Sequence, residues 1–163
     1  MLVHKSERIY AHHPHKNDWA TPAWTGVMID HHPDIQEVEE GYEIEPGVQL
    51  IHTPGHSPGS MSVKVETDSG LATVSGDVLH YSSVALTRKN PLVFWNEIQA
   101  TQSIDRIVGT ADVIYPAHDR PFRIARTGIE YLEPTNLTIM GLTPDEPRVT
   151  FEKEPRPVWL MPG

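Results

Sequence analysis

The chain has 163 residues, no cysteine, and 13 Lys plus Arg against 22 Asp plus Glu, a formal net charge of −9. That length is one domain's worth, and the charge excludes the clustered-base surface of a nucleic-acid or anionic-membrane binder. The absence of cysteine excludes disulfides and thiolate metal sites, so any metal must be held by nitrogen and oxygen.

Neither a signal-peptide profile nor an apolar run of membrane-span length is present, and a soluble, cytoplasmic protein is expected. Leu2 and Val3 read as the end of a strand. Ser6 and Glu7, followed by Ile9 and Tyr10, read as a short helix ending before Pro14. From 15 to 33 no period holds. The acidic stretch from Ile35 to Glu40 is either a helical turn or a strand lead-in. Around Pro46-Gly47, residues 42 to 45 and 48 to 52 form a hairpin. The second arm feeds the run His52-Thr53-Pro54-Gly55-His56-Ser57-Pro58-Gly59-Ser60, in which two Pro/Gly bends place His56 at a strand end.

Beyond it Met61, Val63 and Val65 alternate with Ser62, Lys64 and Glu66, the pattern of a half-buried strand. Asp68-Ser69-Gly70 turns the chain and Leu71 to Ser75 returns it, which brings Gly76 and Asp77 opposite Met61, on the side of the His56 loop. His80 and Tyr81 follow, then a loop through Asn90-Pro91. Ala100, Ile104, Ile107, Val108 and Ala111 mark one stripe of a helix from about 96 to 108. This helix delivers the chain to a strand at 112 to 115 and then to His118. Phe122-Arg123-Ile124 reads as a last short strand. Asp119 either orients an imidazole or caps the following turn. From Thr143 onward, prolines interrupt a possible strand at Arg148 to Glu152. Residues 1–142 are therefore taken as the domain and 143–163 as a Pro-rich tail, whose apolar end, Val158 to Met161, docks on its own body or on a partner.

Three strand ends thus carry His56, Asp77 and His118. Neutral imidazoles and a carboxylate suit a borderline cation such as zinc, and a carboxylate can bridge two ions. The alternative is that each is an ordinary turn residue.

The run from Gly41 to Gly59, then Ser75-Gly76-Asp77, then Pro116-Ala117-His118-Asp119, resembles the metallo-β-lactamase superfamily, and within it the N-acyl-homoserine lactone lactonases of quorum quenching. The resemblance implies an α/β fold, the αββα sandwich, with His56 on one metal, Asp77 bridging two, and His118 on the other. It implies two zinc ions in the intact family and a lactone or small ester as substrate, with a thioester, as in the glyoxalase hydrolases, as the alternative. The lactonases carry a tyrosine three residues beyond the bridging aspartate. Here His80 holds that place and Tyr81 the next, so both are candidates to assist catalysis. Trp19 and Trp24, in the region that covers the active-site mouth, are either substrate contacts or rings packing a loop.

The family's opening signature, His-x-His-x-Asp-His, does not occur in these residues, and His13-Pro14-His15 imitates it with the wrong spacing. The expectation is an N-terminally truncated, C-terminal part of the fold. Fewer ions or none would bind, and activity would be impaired. Such a chain would expose an apolar sheet face toward a second copy or a separate N-terminal chain, and a non-catalytic partner-binding half is the remaining alternative.

Overall fold

The computed structural model describes residues 1–133 and, as backbone, two further strands at Leu137–Met140 and Arg148–Phe151. The chain opens with β1 (Leu2–His4) and α1 (Lys5–Tyr10), whose first turn is capped by the His4 ring accepting from the Ser6 N–H. A second short helix, α2 (Thr25–Asp30), lies where the sequence shows no period. Its Val27 and Met28 face solvent, while Gly26 packs so closely on the His12 ring that a β-carbon would sit 2.7 Å from it. With the apolar side chains outside, periodicity could not reveal this helix. The acidic stretch resolves as β2 (Gln36–Val38), paired parallel to β1.

Alternation builds the main sheet. β3 (Glu43–Glu45), β4 (Val48–His52), β5 (Met61–Thr67) and β6 (Gly70–Gly76) form an antiparallel meander, with Gly70 supplying a φ of +110° at its last turn. The chain then crosses through α3 (Ser82–Thr87) and α4 (Glu97–Thr110) to β7 (Val113–Pro116), which pairs parallel to β6. β8 (Phe122–Ala125) and β9 (Gly128–Tyr131) close a seven-stranded sheet in strictly sequential order. The expected last strand at Phe122 is therefore followed by another. The loop expected between Tyr81 and Asn90 contains α3, whose buried Val84 and Ala85 are too few to show a period. β10 (Leu137–Met140) pairs antiparallel with β11 (Arg148–Phe151), so the strand read in the tail exists, while the apolar end at 158–161 lies outside the described residues.

The core lies between α3, α4 and one sheet face. Ile104 and Ile107 of the predicted stripe meet Val78, Leu79, Val84, Ile114 and Phe122, all buried. Each side chain of this size contributes roughly 1.5–3 kcal/mol by leaving water. The register places Val63 and Val65 beside Val74 and Ala72, and Val74 beside Tyr115, on the opposite face. There Val74 and Tyr115 are 45% and 42% exposed. No helix of the described residues is long and apolar enough to cross a membrane.

Candidate metal centre

β4, β6 and β7 run in the same direction, because β5 is antiparallel to both β4 and β6 while β7 is parallel to β6. Their carboxyl ends therefore lie along one edge of the sheet, the place where open sheets present ligands. His56 follows β4, Asp77 follows β6 and His118 follows β7.

The three side chains converge on the Asp77 carboxylate. His118 Nε2 is 3.2 Å from Oδ1, and His56 Nε2 is 3.7 Å from Oδ2, the other oxygen. A fourth group joins them: His80 Nε2 lies 3.6 Å from Oδ1, and its ring stacks on His118 with centroids 5.2 Å apart. His80 is buried, and burial pushes its imidazole below the ordinary value against the pull of Asp77, with His56 and His118 adding to the lowering. A neutral imidazole is the form that ligates a metal.

The His56 ring is held from behind, and its neighbours are tied through the main chain. His56 Nδ1 is 2.7 Å from the Leu92 carbonyl, which fixes the proton on Nδ1 and leaves the Nε2 lone pair facing Asp77. The His56 loop is tied to the segment before α4 through Phe94 N–H to the His56 carbonyl and Asn96 N–H to the Gly55 carbonyl. Gly55 has a φ of +143°, and a β-carbon there would sit 2.3 Å from the Ala100 main chain, so only glycine fits. The Asn90 amide donates to the carbonyls of Asp77 and Val78. Beneath the site a ladder of buried hydroxyls joins three strands: Thr53 Oγ1 meets Ser62 Oγ, and Ser62 Oγ donates to the Ser75 carbonyl.

This donor set fits a zinc-type ion: imidazole lone pairs and a carboxylate face one point, and no thiolate is needed. The model of the metallo-beta-lactamase superfamily matches residues 2–118, well over half of the chain. The chain belongs to the metallo-beta-lactamase superfamily.

Among its relatives is an N-acyl homoserine lactonase of Bacillus thuringiensis, 37% identical over 81 residues, which are 47% of this chain and 30% of the relative. A solved N-acyl homoserine lactone hydrolase, described with N-hexanoyl-L-homoserine bound at its catalytic metal centre, superimposes with a TM-score of 0.58 at 27% identity. That match covers 72% of this chain and 46% of the other. A dizinc quorum-quenching lactonase shares the fold at 14% identity and a TM-score of 0.59, over 82% of this chain and 54% of the other. This chain spans less than half the length of the first two proteins.

In superfamily terms, the three residues read from the sequence as ligands come together, and His80, read as a catalytic candidate, stands among them. The Tyr81 ring is 6.0 Å from His80 and 6.3 Å from His118, at the rim. Trp19 meets Phe94 edge-on at 5.9 Å, and Phe94 meets His56 at 5.1 Å, so Trp19 reaches the site through one ring. Trp24 precedes α2 and is exposed, with no contact to the cluster among the described residues. His15 makes a local turn, its Nδ1 accepting from Asn17 N–H, and among the described residues neither it nor His13 joins the metal-ligating group. The Asp119 carboxylate accepts locally from Arg120 N–H and, beyond the expected turn, from Ser82 N–H at the start of α3 and from the Tyr131 hydroxyl.

Sequence reasoning missed Glu7. Its carboxylate, on α1, accepts from Ser57 Oγ and from Gly59 N–H at 2.9 Å, clamping the loop that carries His56. A β-carbon on Gly59 would sit 2.3 Å from the Glu7 main chain. An open cleft of about 260 Å³ lies here, walled by Glu7, Asp18, Ser57 and Met61, with His56 and Asp77 at one side.

Proposed function

We propose that this chain carries the His56, Asp77 and His118 part of the metal site of a hydrolase that opens lactones or small esters. The observation supporting this is the placement of His56 and His118 on different oxygens of one carboxylate beside an open cleft, in a superfamily member 37% identical over 81 residues to a homoserine lactonase. A zinc-type ion bound there supplies a water of lowered pKa and a Lewis acid for the substrate carbonyl. The residues themselves position. Asp77 offers one oxygen to each side, the Leu92 carbonyl keeps the His56 lone pair turned inward, and Phe94, in edge contact with both His56 and Trp19, backs the His56 ring. Tyr81, whose ring lies 6.3 Å from that of His118, is the candidate donor to the oxygen that gains charge.

The test is ring opening of N-hexanoyl homoserine lactone by the zinc-loaded chain, followed by acid release. Metal-dependent turnover is expected, slow because the His-x-His-x-Asp-His ligands are not among these residues, and reduced about 100-fold or more by Asp77→Asn, beyond an outer-shell loss. Equal turnover by wild type and variant rejects the reading.

The exposure of Val74 and Tyr115, 45% and 42%, on the sheet face away from α3 and α4 favours a second reading, a half-domain that pairs with another polypeptide. Val63, Val65, Val74 and Tyr115 form a stripe suited to such packing. Sedimentation separates the two: a monomer at micromolar concentration counts against pairing with its own kind, and added N-terminal segment that raises turnover supports a partner.

A further inference from the structure

We propose that His80 is a metal ligand and that, with Asp77 Oδ1 and His118, it makes a mononuclear three-ligand site complete within this chain. The inference deepens the hydrolase reading at the same centre, where the family resemblance assigns a ligand role to His118 and Asp77 but none to this position.

Distances carry the argument. Bond lengths of about 2.0–2.2 Å place neighbouring ligand atoms on a tetrahedral ion roughly 3.3–3.5 Å apart. His118 Nε2 and His80 Nε2 lie 3.2 and 3.6 Å from the same oxygen, Asp77 Oδ1. All three residues offer ligand atoms within 4.8 Å of one another. The 3.6 Å approach is too long for a hydrogen bond, yet it is the spacing of two donors on one ion. His56 faces the other oxygen, Oδ2, and stands outside this group.

His80 behaves as no ordinary core histidine. It is 1% exposed, and its Nδ1 has no hydrogen-bond partner, the nearby Asn90 amide being engaged with the Asp77 and Val78 carbonyls. A buried imidazole costs more than an apolar residue filling the same space, and the nitrogen this one turns toward Asp77 Oδ1 is Nε2. Ligation at Nε2 gives that ring a role. The main chain fixes it there: His118 N–H donates to the His80 carbonyl at 3.0 Å, and Ala117 N–H to that of Leu79. The two imidazoles are thus stacked and registered before any ion arrives. Three protein ligands with a fourth position open is the pattern of catalytic zinc, and structural zinc closes all four.

Cobalt(II) serves as the probe, in the metal-free 163-residue chain. Calorimetry is expected to give one ion per chain. His80→Gln, which keeps volume and polarity, should weaken binding about tenfold or more, while His13→Gln, outside the cluster, changes it less than about threefold. Pulsed EPR on a copper(II)-loaded sample or X-ray absorption on zinc should count two imidazoles on the ion in wild type and in His56→Gln. These counts do not depend on the folding of any His80 variant. Unchanged affinity in a folded His80→Gln, or one imidazole in the wild type, overturns the proposal, and loss of binding in Asp77→Asn then still leaves the hydrolase reading standing. No binding in the wild type overturns both.

Discussion

The sheet has one face roofed by α3 and α4 and one that is more open among the described residues, and the same alternating strands make both. Under α3 and α4, Ile114 and Phe122 are 1% and 0% exposed. On the other side their neighbours Tyr115 and Val74 stand open. A residue's value to stability therefore depends on the side to which the pleat turns it, not on its type. The candidate ligands sit at the edge between the two faces, the His56 loop braced from the roofed side through α4 and from the first helix through Glu7.

The sharpest way to break this contrast is in the roof. Ile104→Ala opens a cavity in the core and should cost about 2–5 kcal/mol, read as a shift of the urea midpoint. Next comes the brace of the loop on α4. Gly55→Ala forces a side chain onto the Ala100 backbone at a positive φ and should cost about 1–3 kcal/mol, with faster amide exchange at residues 54–60. Glu7→Ala leaves the Gly59 N–H without its acceptor and the Ser57 hydroxyl with Ser60 alone. It should cost about 1–2 kcal/mol and loosen the same loop by exchange while leaving α4 protected. On the more open face, Val74→Ala should change stability by no more than about 0.5 kcal/mol, and Val74→Lys should reduce self-association in sedimentation. A large loss from Val74→Ala would show that something covers it.

The ligand-bearing strand ends were legible because local rules place them. Alternation gave the strands, Gly70 gave the turn that set Asp77 opposite Met61, and the Ala100-Ile104-Ile107 stripe identified the crossover helix. What escaped depends on partners remote in the chain. α3 is started by Asp119, 37 residues away, and carries too few apolar residues to show a period. Glu7 meets the His56 loop across 50 residues, and nothing near either end announces the contact. His80 was visible as a candidate, but only the stacking on His118 distinguishes a ligand position from a rim position.

The main-chain bonds that join residues 79–80 to residues 117–118 carry a consequence for how the two loops can change. Seamed in this way, the imidazoles of His80 and His118 act as the jaws of one tool. A deletion or insertion of a single residue in either loop would dislocate both jaws together, whereas the excursion near Pro91 stands outside that seam and leaves their registration to the sheet.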